Sequence, residues 1–307
     1  MSDDSVVYDS QAEASQGAPN AKHLRQPNGV YAPPLAFFAH SEDIDTITLE
    51  NHVTRLVKAE VAGIVIQSSI GEAVHLTREE RSTMIRCAAD TIYRGYYDRL
   101  KNTRAPLIAA CGAQSTRGTL QFCRDAPESG ASHALITVPS YFASLINNGM
   151  IIQHFYDVAD KSLIPLIIGN FPAAASGLQL TLDDILRTAK HPNVGFFVAG
   201  GNTNSICQCQ VLGANGTIAG HANFATYACV RVRELSHRGK LRDRGKLREA
   251  EDLQAVIARG NSIVTGLGLV GMKAVVKFWN DYGGAPRKPC YLPPLIEVIK
   301  VSEELSE

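Results

Sequence analysis

The residues of this 307-residue chain whose types and places suit chemistry on their own fall into three groups. His221 stands in GTIAGHAN (216–223), just past an apolar run that reads as the last strand. A histidine titrates near neutral pH, so at a strand end it can take or give a proton, or it can simply fill a core as a hydrogen-bonded side chain; both readings stay open. Cys207 and Cys209 form a C-x-C pair with no second pair at metal-ligand spacing, so we read them as buried thiols and expect no metal and no cofactor. Arg238 to Arg248 (RGKLRDRGKLR) is a basic run able to gather an anion, but its short internal duplication reads better as a solvated helix face.

The elements that would have to position these groups are legible in the alternation of the chain. From Gly29 onward short apolar runs alternate with helical patterns, the mark of parallel strands joined by crossover helices. The strands are expected at 30–37, 62–67, 106–111, 133–138, 164–169, 194–199 and 216–220. Most are continuously apolar (AGIVIQ, PLIAAC, LIPLIIG, VGFFVAG), as befits strands buried on both faces. Thr77 with Glu80, and Thr181 with Asp184, have the spacing of capping boxes that start helices. Beyond 222 the pattern is helical, roughly 223–237, 245–258, 262–281 and 293–305. The expected fold is an α/β barrel of the TIM (β/α)8 type plus C-terminal helices, divided into a tail (1–28), a barrel (29–222) and a helical region (223–307).

Seven strands are one short of eight. The interval from the 194 strand to the 216 strand is about 22 residues, whereas a strand-plus-helix unit takes roughly 30. Either CQCQVL (207–212) is a cramped strand or one βα unit is missing.

Composition narrows the function. Thirty basic residues balance thirty acidic ones, which gives no global field to draw nucleic acid or an anionic membrane and favours a small-molecule metabolite as partner. Seven cysteines are an odd, scattered set, unlike a secreted disulfide framework. Residues 1–28 show neither an apolar core of a signal peptide nor an arginine-rich amphipathic pattern, from which we expect a cytoplasmic protein.

GVYAPPLAFF (29–38), SSIGEAVHLTREER (68–81), HALITVPSYF (133–142), LIPLIIGNFP (163–172), HPNVGFF (191–197) and GTIAGHAN (216–223) resemble, in order and spacing, the signature blocks of the dihydrodipicolinate synthase and N-acetylneuraminate lyase family. The wording is most similar to the branch of fungal 4-hydroxy-2-oxoglutarate aldolase-like proteins, over residues 29–297. The resemblance implies a lyase in which a barrel lysine forms an imine with a pyruvoyl carbonyl, a strand tyrosine relays protons, and a G-[ST]-[ST]-G-E loop holds the substrate carboxylate. It also implies a homo-oligomer, a dimer or tetramer, built partly through the loop of the P-x-Y-Y motif.

Residue by residue, the loop survives as Ser68, Ser69, Ile70, Gly71 and Glu72, with Ile70 in place of the second hydroxyl residue. The P-x-Y-Y loop reads Pro139, Ser140, Tyr141, Phe142. Gly169 stands at the relay tyrosine and Phe197 at the imine lysine. The resemblance therefore implies a substrate pocket of Ser68, Ser69, Gly71, Phe142, Gly169 and Phe197, apolar and roomier than usual, with His221, Tyr141 and Ser69 as the catalytic candidates. Two functions follow: a lyase acting on a small oxo acid without the imine, or a catalytically inactive barrel that binds a ligand or an active relative.

Overall fold

The apolar runs pair as strands because neither of their faces tolerates water. A computed structural model describes residues 26–95, 105–195, 198–241 and 243–294. Residues 1–25 of the expected tail, Phe197, and nearly all of the helix expected at 293–305 lie outside the described residues. The strands β1 (Gly29–Ala32), β2 (Gly63–Ile66), β3 (Leu107–Ala110), β4 (His133–Thr137), β5 (Leu166–Gly169), β6 (Ala199–Gly200) and β7 (Gly216–Ile218) form one parallel sheet in the order β5-β4-β3-β2-β1-β7-β6.

The two edges of this sheet are flanked by the chain on either side of residues 196–197. On one side Val194 bridges Leu166 of β5, with Leu166 N–H donating to Asn193 O at 2.9 Å and Gly195 N–H to Leu166 O at 2.7 Å. On the other Ala199 and Gly200 pair with Gly216 and Thr217 of β7. Among the described residues the sheet therefore has seven strands, as expected from the apolar runs, with Val194 against β5 at one edge and β6 against β7 at the other. The alternative of a cramped strand at 207–212 is settled by α6 (Ile206–Val211), an α-helix. Among the described residues, one βα unit of the eightfold pattern is missing.

The other helices are α1 (Thr46–Lys58), α2 (Arg78–Gly95), α3 (Thr116–Glu128), α4 (Asn148–Lys161), α5 (Leu182–Thr188), α7 (Thr226–Leu241), α8 (Arg244–Gly266) and α9 (Gly268–Asn280). Both capping boxes form. Glu80 accepts from Thr77 N–H at 2.8 Å while Thr77 Oγ1 accepts from Glu80 N–H at 3.3 Å, and Thr181 and Asp184 do the same for α5. Among the described residues no single helix is long and apolar enough to cross a membrane.

Strand alternation divides the core in two. Tyr31, Val65, Ile108 and Ile167, with Leu135, Ala199 and Ile218 beside them, form a cluster made almost wholly of strand residues, so this is the inside of the ring. The intervening residues, among them Val30, Ile64, Ile66, Ala109, Ile136 and Leu166, belong to the larger cluster shared with the helices.

The seam between the first and last strands is tied by one side chain. Asn223 donates from Nδ2 to Pro33 O and Gly220 O, each at 2.8 Å, and accepts at Oδ1 from Leu35 N–H at 3.2 Å. His52 of α1 also donates to that oxygen through Nε2 at 2.8 Å, and its Nδ1 accepts from the Tyr282 hydroxyl at 2.8 Å.

Candidate active site at the barrel mouth

The C-terminal ends of the strands share one face, and the loops that leave them build the site. The loop after β2 is the most tightly specified. A side chain on Gly71 would sit 3.0 Å from Pro34 O and 3.1 Å from both Gln67 Cα and Ser68 N, so any larger residue would press on the backbone of this loop. Glu72 follows in the left-handed conformation (φ 52) and is buried, with its carboxylate turned away from solvent. Its Oε1 lies 2.5 Å from Lys273 Nζ of α9, while Oε2 accepts from Arg287 N–H at 3.0 Å and lies 2.9 Å from His75 Nδ1. Lys273 also donates to Ala285 O at 3.0 Å and lies over the Phe38 ring at 4.7 Å. Burial lowers the Lys273 pKa and the Glu72 carboxylate opposes that shift, which keeps the ammonium paired in place. The loop is thereby fixed to the C-terminal helices, with Ser69 exposed at its tip and the Ser68 hydroxyl buried without a protein partner.

The wall beside this loop is made of small residues. A side chain on Gly169 would meet Thr137 Cγ2 at 3.0 Å and Leu135 Cδ1 at 3.4 Å, and one on Gly112 would lie 2.5 Å from Thr137 Oγ1. Thr137 follows the inward Leu135 by two residues, so its hydroxyl stands inside the mouth. Sequence reading passed over Thr137, although the alternation of HALIT would have placed it. A side chain on Gly220 would meet Ile70 Cδ1 at 3.6 Å and Met272 Cε at 3.5 Å, so the β2 loop, the end of β7 and α9 come together here.

The other candidates are spread around this centre. Tyr141 (80% exposed) and Phe142 (58%) stand on the rim with their rings 5.0 Å apart, and Gln114 Oε1 holds their turn by accepting from Ser140 and Tyr141 N–H at 2.8 Å each. His221 lies in a 3-10 turn (Gly220–Asn223) that breaks the strand alternation; it is buried, with its ring 4.1 Å from Phe224 and its N–H on Thr203 Oγ1 at 3.3 Å. Burial pushes its pKa down to about 4 against a hydrogen bond to Asn261 of α8, and its Nδ1 has no protein partner. Ser68, Gly71, Thr137, Gly169 and Gly220 thus gather at the mouth, Tyr141 and Phe142 lie at its edge, and His221 is held toward α8. Among the described residues, neither the cavity beside Arg81 and Phe122 nor the one between α3 and α4 is lined by Ser68, Gly71, Thr137, Gly169 or Gly220.

A parallel β/α ring with a serine-glycine-glutamate loop at its strand ends and a helical C-terminal addition is the scaffold of a barrel lyase. The chain belongs to the dihydrodipicolinate synthetase family, whose model matches residues 26–211. It is 38% identical to the "Probable 4-hydroxy-2-oxoglutarate aldolase, mitochondrial" of Emericella nidulans, over 91% of this chain and 94% of that one. It is 33% identical to the L-threo-3-deoxy-hexylosonate aldolase of Hypocrea jecorina, over 92% and 96%. A crystal structure of a dihydrodipicolinate synthase family protein from Coccidioides immitis superposes with a TM-score of 0.80 at 25% identity, over 92% and 96%.

Three consequences follow. The alignment with the Emericella protein runs over 301 positions yet takes in only 91% of this chain, so residues of that relative face gaps here, as a missing unit requires. The expectation of a cytoplasmic protein is overturned, because the Emericella relative is named mitochondrial; the expectation had rested on the lack of an arginine-rich pattern in residues 1–28, and such a lack excludes nothing. The family relatives are named aldolases, which places the chain among lyase-like proteins and lends no support to the inactive-barrel alternative.

Proposed function

We propose that the chain is a lyase acting on a small 4-hydroxy-2-oxo acid, the substrate class in the name of the Emericella relative, with no imine formed on the chain between β5 and β7. The observation that carries this reading is the β2 loop: the backbone crowds Gly71 at 3.0–3.1 Å, Glu72 is clamped by Lys273, and the Ser68 hydroxyl lies buried without a partner. Donors held rigidly around an approachable backbone suit a substrate carboxylate. Ser69 and Tyr141 contact the substrate from the rim and Thr137 lies beside its carbonyl, while His221, turned toward α8, stands behind this face. The lysine lost from the family pattern is best explained by the missing unit, since Gly195 already bonds to β5 and Val198 to β7. Self-association runs through the exposed Tyr141, Phe142, Leu145 and Met150; a sedimentation profile of monomer alone would contradict that part.

The test is cleavage of 4-hydroxy-2-oxo acids, followed as release of pyruvate or glyoxylate, alongside borohydride trapping with pyruvate. Turnover without a stoichiometric lysine adduct, lowered by Ser69→Ala through KM, is the expected outcome. An adduct mapped to one lysine of the wild-type chain would overturn the mechanism, and absence of turnover with every such acid would overturn the function.

A further inference from the structure

We propose that the base of the barrel, the end where the strands begin, is a contact surface for an anionic lipid bilayer, independent of the reading of the loop at the mouth. The chain as a whole is neutral, so the attraction is local, and residues 238–249 supply it with six cations and two acids. α7 leaves the mouth after β7 and ends at the base, where α8 turns back, so this run is the tip of a helical hairpin. Gly239 lets the hairpin close, since a side chain there would lie 2.8 Å from both Cβ and N of Leu247. Both acids are already engaged. The Asp243 carboxylate caps α8 by accepting from Gly245 and Lys246 N–H at 3.0 and 3.3 Å, and Glu249 pairs with Arg231 and Lys246 at 3.1 and 2.7 Å. Arg238, Arg244 and Arg248 are exposed, and none of them has an ion pair among the described residues.

Apolar side chains stand beside these charges. α6 packs on α7, with Cys207 Sγ 3.1 Å from Ser236 Oγ and Gln210 Nε2 3.4 Å from His237 Nδ1, so Val211 (58% exposed) and Leu212 (85%) emerge at the base near Arg238. Leu163, just ahead of β5, is 73% exposed at the same end of the strands. Cations flanking uncovered aliphatic side chains match a bilayer, whose anionic headgroups take the arginines and whose interface takes the leucines. A nucleic acid would use the cations and leave Leu212 in water. Docked by its base, the barrel keeps its mouth turned to the aqueous side.

The test is sedimentation of the full-length protein with vesicles of phosphatidylcholine alone, and of phosphatidylcholine with about one-third phosphatidylglycerol. Retention is expected only on the anionic vesicles and is expected to fall as salt rises. Arg238→Gln combined with Arg244→Gln is expected to weaken binding about tenfold or more. Leu212→Asp is expected to weaken it with every cation kept, whereas Arg117→Gln, an exposed cation in the first turn of α3 near the mouth, leaves it unchanged. No retention, equal retention on both kinds of vesicle, or a loss with Arg117→Gln as large as with the double variant would overturn the surface. Binding that Leu212→Asp leaves intact while an oligonucleotide displaces the vesicles would overturn it too, and assign the run to nucleic acid.

Discussion

Residues 29–137 and 193–218 are two stretches of the same ring, built to different standards. In the first, each strand is followed by a helix of 13 to 18 residues, and α1 buries Leu49, Val53 and Leu56 completely. In the second, a two-residue strand leads into a six-residue helix, and α5 before it has seven residues. The apolar side chains tell the same story. Leu182, Leu186, Val198, Val211 and Leu212 are all more than half exposed, around the place where a further helix would have packed. Removing a repeat from a barrel leaves the remaining strands paired but strips the neighbouring helices of partners.

The strongest test of this contrast is to put the repeat back. A strand-and-helix unit of about 30 residues from the Emericella nidulans relative, inserted between Gly195 and Val198, is expected to give a protein that traps pyruvate on an imported lysine under borohydride, read by mass spectrometry. A folded graft with no adduct would show that the mouth itself is no longer competent. Next in size, Lys273→Met leaves Glu72 buried without its main counter-charge and is expected to cost about 3–5 kcal/mol in urea unfolding. A loss under 1 kcal/mol would mean that His75 and the Arg287 amide suffice.

The third test uses pH. His221 and His52 are held neutral by burial, with pKa values of about 4 and about 3, whereas in the unfolded chain they protonate near 6.5. The unfolded state therefore binds more protons between these values, so stability is full above about pH 6.5 and falls as the pH drops toward 4, by on the order of 3 kcal/mol for His221. His221→Asn is expected to flatten that part of the urea midpoint against pH. The smallest effect separates the two stretches directly: Leu186→Ala is expected to change stability by less than about 0.5 kcal/mol, against about 2–5 kcal/mol for Leu56→Ala. Equal costs would show that the 193–218 side is packed as well as the other.

Much of this was legible in the sequence, for identifiable reasons. Runs such as AGIVIQ and PLIAAC announce buried parallel strands, and both capping boxes were placed to the residue. The missing repeat was visible as a shortage of length, but an apolar stretch as short as CQCQVL carries no period that tells helix from strand; its neighbours decide. The Lys273–Glu72 pair was invisible because nothing local in GMKAV marks a lysine as buried, and its partner is supplied from the other end of the fold. His221 stands at a strand end as expected, yet the 3-10 turn rotates it toward α8, which no alternation rule foretells.

Asn223 gathers Pro33, Leu35, Gly220 and His52 around one amide group at the seam of β1 and β7. In kinetic terms that makes the seam a late-opening gate: the amide hydrogen of Leu35, in a residue with no solvent exposure, is expected to exchange with deuterium only on global unfolding, whereas those of Val198 and Asn215 exchange through cheaper local opening on the thinly covered side of the ring.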